Sequence, residues 1–382
     1  MKKGREEERS IRVYAFFGTH PIYETLVKYP PENIQLINAP PKEVYDTLSI
    51  YSPIKRRLKD NIKEIAHKIG IPRMIWLPAL NADLIHSSRG FLVLNRKPWV
   101  VDIEHIGSFG NFKKESVKRI ALKFLSSDYC KKILPHCKAS MYSFFNAWNP
   151  PSKIKSKTEV LYPAIEPRNF KKKARETIRI GFLATRTSFY EKGGRELLEA
   201  FKILSKKYDN IELWIKSKVP NGLLKKYKNL PIKVIERNYL TRDELFKNFY
   251  QQLDIFCLPT YIDSFGYSLL EAMSVGLPIV ATSIFAIPEI VEDGKNGFLI
   301  SSPISDFRKD FVIEMFDREV LKREKLSIVV RQLVEKLSLL IESSSLRRKM
   351  GRYGRMLVEK GRFSIKERNE KLRKIYEEAS KK

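Results

Sequence analysis

The chain has 382 residues, too many for one ordinary hydrophobic core, which predicts two domains. Hydrophobic residues at 43% exclude a disordered chain, and no apolar stretch approaches the roughly 20 residues that a membrane-spanning helix needs. Lysine and arginine number 72 against 44 acidic residues, a net charge of +28 that is spread over both halves of the chain. Such a charge favours anionic partners, or equally reflects the lysine-rich surface of a heat-adapted protein.

Apolar strand-like runs alternate with amphipathic helix-like runs, which predicts an α/β protein with parallel sheets. The first run follows a charged N-terminal stretch and lacks a cleavage pattern, so we interpret it as a strand rather than a signal peptide. In the first half the predicted strands are Arg12–Phe17, Asn33–Ile37, Met74–Leu77, Leu84–His86 and Trp99–Ile103. A helix with a basic face is predicted over Glu115–Leu125.

The composition changes between Asn149 and Arg175, where prolines and lysines interrupt any regular element. This stretch predicts an interdomain linker with a short strand at Val160–Tyr162. The predicted domains are residues 1–163, to which the last helix at 365–382 would return, and residues 164–364.

The second half repeats the strand–helix alternation and predicts a second Rossmann-like domain. Its predicted strands are Ile178–Leu183, Ile211–Ile215, Lys233–Ile235, Ile255–Leu258 and Pro278–Ala281. Helices are predicted at about 194–206, at Arg242–Gln251, at Ser268–Ser274 and from Leu326 onwards.

Three cysteines, at 130, 137 and 257, show neither a paired framework nor the spacing of metal ligands. They predict a reducing, cytoplasmic compartment and no metal site.

The segment from Asp263 to Glu271 carries the clearest chemical signal. It follows a predicted strand, and ligands of open α/β sheets bind at the carboxyl ends of strands. Gly266 lets backbone approach a ligand, and a helix that begins near Ser268 would direct its amides, including that of Leu269, at a phosphate.

Two carboxylates flank this phosphate-binding point. Asp263 and Glu271 are suited to accept hydrogen bonds from sugar hydroxyls rather than to face a diphosphate. The simpler interpretation is that Asp263 is a loop residue and that Ser268 and Glu271 form a capping box for their own helix.

The whole segment resembles the donor-site signature of glycosyltransferase family four. The similarity covers Asp263, the Phe265-Gly266 pair, Glu271 within Leu-Glu-Ala-Met, a Gly-x-Pro turn, and the run from Pro288 to Gly297. The family's first carboxylate is usually Glu, so Asp263 departs from it by one methylene.

Other segments extend the resemblance. Arg186 and Lys192-Gly193 look like the family's phosphate clamp, although basic loop residues in so basic a chain are often merely solvated. His105 resembles an active-site histidine that ends a strand, with a structural role as the simpler alternative and His86 as its competitor. Gly18 occupies the place of a glycine-rich loop.

The resemblance implies the GT-B architecture, with two Rossmann-like domains facing each other across a cleft. It also implies a retaining transfer of sugar from a nucleoside-diphosphate donor to a glycan or lipid-linked acceptor, with no metal or other cofactor. Lys192, Arg186 and the helix amides would neutralise the diphosphate. Glu271 would hold the ribose, Asp263 the transferred sugar, and His105 would contact that sugar.

Two further interpretations concern the positive charge. The basic helical stretch 113–134 and the cluster Lys55-Arg56-Arg57 would suit peripheral contact with an anionic membrane, or they are solvated faces. The alternative function is a polyanion- or nucleic-acid-binding protein on a Rossmann-like scaffold. It leaves Asp263 and Glu271 unexplained, and the sequence contains no recognisable nucleic-acid module.

Overall fold

The computed structural model describes residues 10–43, 68–168, 175–184, 188–235, 241–314, 317–323 and 326–381. The chain divides into two compact units. The described residues up to Ala164 and from Ile365 onwards form unit 1, and the described residues between Ile165 and Ser364 form unit 2. The cluster Lys55-Arg56-Arg57 lies outside the described residues.

Unit 1 is built on a five-stranded parallel sheet in the order β2-β1-β4-β6-β7. Its strands, together with the separate β3-β5 pair, are β1 Ile11–Phe16, β2 Ile34–Ile37, β3 Met74–Ile75, β4 Leu84–Ser87, β5 Leu92–Val93, β6 Trp99–Ile103 and β7 Cys130–Pro135. Its α-helices are α1 Glu24–Lys28, α2 Glu115–Ser126, α3 Lys138–Trp148, α4 Ser152–Lys155 and, from the end of the chain, α12 Ile365–Ser380.

The core of unit 1 follows from the alternation of its sequence. Strand β6 is buried along its whole length, as expected for a central strand of a parallel sheet. Helix α2 buries Val117, Ala121 and Leu125 at helical spacing, while its lysines face away. Helix α12 packs on β1, β4 and β7 and buries Leu372 and Ile375.

Unit 2 is built on a six-stranded parallel sheet in the order β10-β9-β8-β11-β12-β13. Its strands are β8 Ile178–Leu183, β9 Ile211–Lys216, β10 Ile232–Val234, β11 Ile255–Leu258, β12 Ile279–Thr282 and β13 Gly297–Ile300. Its α-helices are α5 Gly194–Leu204, α6 Arg242–Asn248, α7 Tyr267–Ser274, α8 Ile287–Ile290, α9 Val320–Arg323, α10 Ser327–Glu342 and α11 Ser344–Glu359.

Both sheets reverse their strand order once. In unit 1 the chain builds β2 on one side of β1 and β4, β6 and β7 on the other, and in unit 2 the reversal lies between β8 and β11. These are the switch points at which open parallel sheets bind ligands, outside the carboxyl ends of the strands. The two Rossmann-like parallel sheets confirm the predicted fold class.

Two local predictions are wrong. Residues 160–162 do not form a strand, although Glu159 and Leu161 donate hydrogen bonds to the β7 carbonyls of Ile133 and Pro135. The proline at 163 lacks the N–H that would continue the ladder. The predicted helix at 242–251 ends at Asn248, because Phe249 leaves the helical conformation (φ −128°) before a single 3-10 turn.

Within the described part of the chain, no helix is long and apolar enough to cross a membrane. The three cysteines are buried, and no disulfide joins any two of them.

Candidate active site

The switch point of unit 2 brings Lys192 and Asp263 together. Lys192 lies on the loop after β8 and Asp263 on the loop after the adjacent β11. The Lys192 ammonium lies 2.7 Å from Asp263 Oδ2 and donates at 2.7 Å to the carbonyl oxygen of Ile262. Both side chains are about one-fifth exposed or less. The pair therefore presents a cation and an anion side by side at the carboxyl edge.

Glycine at 193 makes this pairing possible. Its backbone is left-handed (φ +75°), and a Cβ there would lie 2.1 Å from the carbonyl oxygen of Pro259. The two loops are also joined by a hydrogen bond from Tyr261 N–H to the carbonyl of Glu191, at 2.8 Å. Only a residue without a side chain allows this approach, so the sequence Lys192-Gly193 fixes the ammonium beside Asp263.

Helix α7 begins immediately after the Asp263 loop. Gly266 is its N-cap in a left-handed conformation (φ +88°), and Asp263 Oδ1 accepts the N–H of Phe265 at 3.2 Å. Phe265 is buried, and Ser268 and Leu269 lie in the first turn of the helix. The helix N-terminus carries a partial positive charge, so this edge suits an anionic ligand.

Glu271 is held by two buried partners. One carboxylate oxygen accepts from the Arg242 guanidinium of α6, and the other accepts from the Tyr250 hydroxyl at 2.5 Å. Burial and the nearby Glu271 charge raise the pKa of Tyr250, so its hydroxyl stays a donor. The predicted capping box is wrong: α7 starts at Tyr267 and has no side-chain cap, which places Glu271 in the second turn.

Sequence reasoning missed Arg242 and Tyr250. Arg242 lies 29 positions before Glu271, and its side chain is almost fully buried. Arg242 lies in the first turn of α6, which Thr241 and Glu244 cap, and an arginine at such a position is expected to be exposed. The capping pattern does not indicate where the Arg242 guanidinium lies. The buried arginine is visible only in the folded chain.

The switch point of unit 1 lies between β1 and β4, and Gly18 follows β1 there. The nearest side chain to a Cβ added at Gly18 is the Arg89 guanidinium, at 3.7 Å. Arg89 follows β4 in a left-handed conformation (φ +57°) that arginine rarely adopts. Asp102 stabilises it, since Asp102 Oδ1 accepts the Arg89 N–H at 2.8 Å.

Asp102 is the centre of a buried cluster. It accepts the Tyr23 hydroxyl at 3.0 Å, and the Nε2 atoms of His86 and His136 each lie 3.5 Å from its carboxylate. Burial alone would raise the pKa of Asp102, but the two imidazoles outweigh it and the pKa is lowered. Burial likewise opposes protonation of His136, yet Asp102 raises the pKa of His136 above its ordinary value.

His105 ends the loop after β6 and caps the 3-10 turn Ile106–Phe109. Its Nδ1 accepts the Gly107 N–H at 3.0 Å, which places the ring proton on Nε2. Burial lowers the pKa of His105, an effect that Glu104 opposes and Arg73 reinforces. His105 is therefore a neutral imidazole with its Nε2 as donor.

The predicted site residues fall into two groups in the structure. Unit 2 gathers Lys192, Asp263, Phe265, Gly266, Ser268 and Leu269 at one sheet edge, with Glu271 buried behind them in α7. Gly18 and His105 lie at the carboxyl edge of the sheet of unit 1. Arg186 lies outside the described residues. His86, the competitor of His105, instead belongs to the Asp102 cluster, and its Nδ1 lies 2.6 Å from the Tyr376 hydroxyl oxygen.

Comparison with known proteins places this edge in context. Residues 177–315, which contain Lys192, Asp263 and Glu271, match the protein family of glycosyl transferases group 1. The chain is similar to an uncharacterized glycosyltransferase of Haemophilus influenzae, at 27% identity over 290 residues, 74% of each chain. The chain is a glycosyltransferase.

Two further similarities are to a sequence relative and to a solved structure. The capsular polysaccharide biosynthesis glycosyltransferase CapM of Staphylococcus aureus is 25% identical over 203 residues, which are 49% of this chain and 43% of that protein. The fold is similar to that of Anabaena HepE in complex with UDP-glucose, with a TM-score of 0.58, 14% identity and coverage of 95% of this chain and 98% of that chain. Identity this low shows the shared fold alone, and that fold is the predicted GT-B type.

Proposed function

We propose that this glycosyltransferase moves a sugar from a nucleoside-diphosphate donor to a glycan or lipid-linked acceptor with retention of the anomeric configuration. The observation that carries the proposal is the Lys192–Asp263 contact at the switch point of unit 2. A cation for phosphate, an anion for hydroxyls and a helix N-terminus meet within one sheet edge there.

Lys192 is proposed to neutralise the diphosphate. On donor binding its ammonium would exchange the Ile262 carbonyl for phosphate oxygens, together with Arg186 and the first-turn amides of α7 at Ser268 and Leu269. These groups stabilise the charge that develops as the nucleoside diphosphate leaves. Lysine and arginine supply this counter-charge in the proposal, so no metal ion is included.

Asp263 is proposed to bind the transferred sugar. A carboxylate accepts through two oxygens, and Asp263 uses one for Lys192 and the other for the Phe265 N–H. Each oxygen keeps a second lone pair for a sugar hydroxyl. The shorter aspartate, where the resembling family usually carries glutamate, would set the sugar about one methylene deeper towards the loop.

Glu271 is proposed to accept hydrogen bonds from the ribose hydroxyls. Each of its carboxylate oxygens has one lone pair that does not accept from Arg242 or Tyr250. Arg242 and Tyr250 are then positioning residues, because they fix the carboxylate and do not themselves touch the donor. A buried ion pair of this kind is weak evidence for stability and better evidence for a fixed geometry.

His105 and Gly18 are proposed to contribute from unit 1. The neutral His105 offers its Nε2–H to the transferred sugar, and Gly18 leaves room for a ligand beside Arg89. In the proposed reaction the acceptor oxygen bonds to the anomeric carbon as the bond from that carbon to the phosphate oxygen breaks. The acceptor proton goes to the leaving phosphate on the same face, so no protein nucleophile takes part.

The acceptor class rests on the relatives and on charge. CapM is a capsular polysaccharide enzyme by name, which supports a glycan acceptor, and the charge of +28 supports an acceptor or membrane surface that is anionic.

The first experiment is a thermal-shift panel of UDP-, GDP- and ADP-sugars with the full chain. We expect one nucleotide class to raise the unfolding temperature, and we expect Lys192→Met to abolish the shift. Lys360→Met, which removes an exposed lysine outside the site, serves as the control and should retain the shift. If no donor stabilises the wild type, or if both variants respond alike, the proposed site is wrong.

A further inference from the structure

A second strongly basic feature lies at the opposite edge of the sheet of unit 2. Five arginines and one aspartate line a groove of about 520 Å³. They are Arg175, Arg347, Arg348, Arg352, Arg355 and Asp254, and together they are called the arginine groove here. Arg175 precedes β8 and Asp254 precedes β11, so the groove lies at the amino ends of the strands, about 20 Å of strand from the Lys192 loop.

The groove is positioned by a close backbone contact. Gly351 of α11 has no Cβ, and a Cβ there would lie 2.0 Å from the carbonyl oxygen of Gly276, whose own backbone is left-handed (φ +74°). Helix α11 therefore lies directly over the turn before β12. This contact places Arg347, Arg348, Arg352 and Arg355 of α11 at the amino ends of the strands.

Backbone carbonyls orient three of the five guanidiniums. Arg175 donates to Gln252 at 2.8 Å, Arg347 to Ile341 at 2.9 Å, and Arg355 to the carbonyl of Arg168 at 2.7 Å. Carbonyl acceptors fix the direction of a guanidinium without neutralising its charge. The groove is therefore both ordered and positive.

Few carboxylates offset that charge in the described chain. Asp254 is 9% exposed and already accepts the Arg179 N–H at 2.9 Å, while Glu359 binds Arg355 at 2.6 Å. Burial lowers the pKa of Arg347, and the neighbouring Arg348 lowers it further against the effect of Asp254. In addition, Arg175 Nε is buried with no hydrogen-bond partner within the part of the chain that the structure describes.

We propose that the arginine groove binds a phosphate-bearing ligand with more than one negative charge. Guanidinium forks match phosphate oxygens in pairs, and the volume is that of a small-ligand site. Exposed Arg348 and Arg352 close around the ligand, while Arg175, Arg347 and Arg355 form its fixed floor. The site is separate from the proposed donor site, because the two occupy opposite edges of one sheet.

The test is calorimetric titration of inorganic pyrophosphate into the full chain at constant ionic strength. We expect Arg348→Ser/Arg352→Ser to weaken binding at least about tenfold, because two charge-assisted contacts are lost. The double change Lys206→Ser/Lys360→Ser removes the same charge from exposed positions outside the groove and should bind as the wild type does. Lys192→Met should also leave this binding event in place. Circular dichroism of each variant verifies that it is folded.

A second arm distinguishes the source of the phosphate. Phosphatidylcholine vesicles with and without phosphatidylglycerol are sedimented with the same variants. Retention that requires phosphatidylglycerol and both arginines identifies a lipid headgroup, and pyrophosphate binding without such retention identifies a soluble ligand. The proposal is overturned if the groove and control variants weaken equally, if only Lys192→Met abolishes binding, or if neither probe binds.

Discussion

The Lys192 ammonium and the Asp263 carboxylate lie 2.7 Å apart although 71 positions separate them in the chain. Two adjacent parallel strands deliver them to one edge, and a glycine after Lys192 closes the distance. A lysine held by a carboxylate is poised to exchange that partner for a phosphate, which makes this pair the centre of the proposed chemistry.

Lys192→Met should lower kcat by about 100-fold, because one preorganised positive charge at the leaving group is lost. The free energy of unfolding should change by no more than about 1 kcal/mol, since a partly exposed ion pair contributes little. Initial rates against donor concentration and urea unfolding measure the two effects. Lys295→Met, which removes the exposed ion pair with Glu292, is the control. Equal rates in both variants would contradict the assignment.

Arg242→Met should destabilise unit 2 by about 3–5 kcal/mol, because Glu271 is left as an uncompensated buried charge. The double variant Arg242→Met/Glu271→Met should be much less destabilised, since it removes both charges. Denaturant unfolding of the two single variants and the double variant gives the coupling. Additive losses would mean that the pair does not interact as the structure shows.

Stability should depend on pH through Asp102 and His136. Asp102 has a lower pKa in the folded chain than in the unfolded chain, where it is about 3.9. Its ionised carboxylate therefore stabilises the fold at pH values above about 3.9, and this contribution is lost as the pH falls below that value. His136 has a higher pKa in the folded chain than in the unfolded chain, where it is about 6.5. Its protonated imidazole therefore stabilises the fold at pH values below about 6.5, and this contribution is lost as the pH rises above that value. Unfolding free energies measured from pH 3 to 9 should flatten at both ends in Asp102→Asn. Unchanged slopes would show that other groups titrate there.

Gly193→Ala and Gly222→Ala separate backbone strain from steric clash. Both glycines have a left-handed backbone (φ +75° and +76°), but a Cβ at 193 would meet the Pro259 carbonyl at 2.1 Å, whereas nothing lies within 4 Å of one at 222. We expect a loss of about 1–2 kcal/mol at position 222 from strain alone. The loss at position 193 should be larger and accompanied by reduced transfer activity. Equal effects at the two sites would argue against the close loop contact.

The sequence predicted those features that depend on local pattern. Strand alternation was enough to place Asp263 just beyond a strand, whereas the resemblance to the family's phosphate clamp singled out Lys192. A parallel sheet then brings the two strand ends to one edge. The partners of Glu271 had no such pattern, because an ion pair between two helices follows from their packing. The capping box failed for a related reason: Gly266 starts the helix at Tyr267, so Glu271 turns inward to Arg242.

Asp102 shows the same limit from the other side. A carboxylate within an apolar strand carries no periodic signal. The Asp102 oxygens nevertheless contact Tyr23 in the 3-10 turn Pro21–Tyr23, Arg89 after β4 and His136 after β7. Which side chains contact Asp102 depends on the order of the strands in the sheet, and the sequence pattern does not predict that order.

Helix α12 has a consequence for the order of events during synthesis. The described residues of unit 2 come from one stretch of the chain, Ile165 to Ser364, whereas unit 1 needs α12. Arg368 of α12 donates to the Thr25 carbonyl, and Tyr376 of α12 forms a hydrogen bond with His86. When synthesis has reached residue 364, all the described residues of unit 2 have been made. Unit 1, most of which was made earlier, still lacks α12 and therefore part of its core. The first-made half of the polypeptide is then expected to be the last to complete its native core.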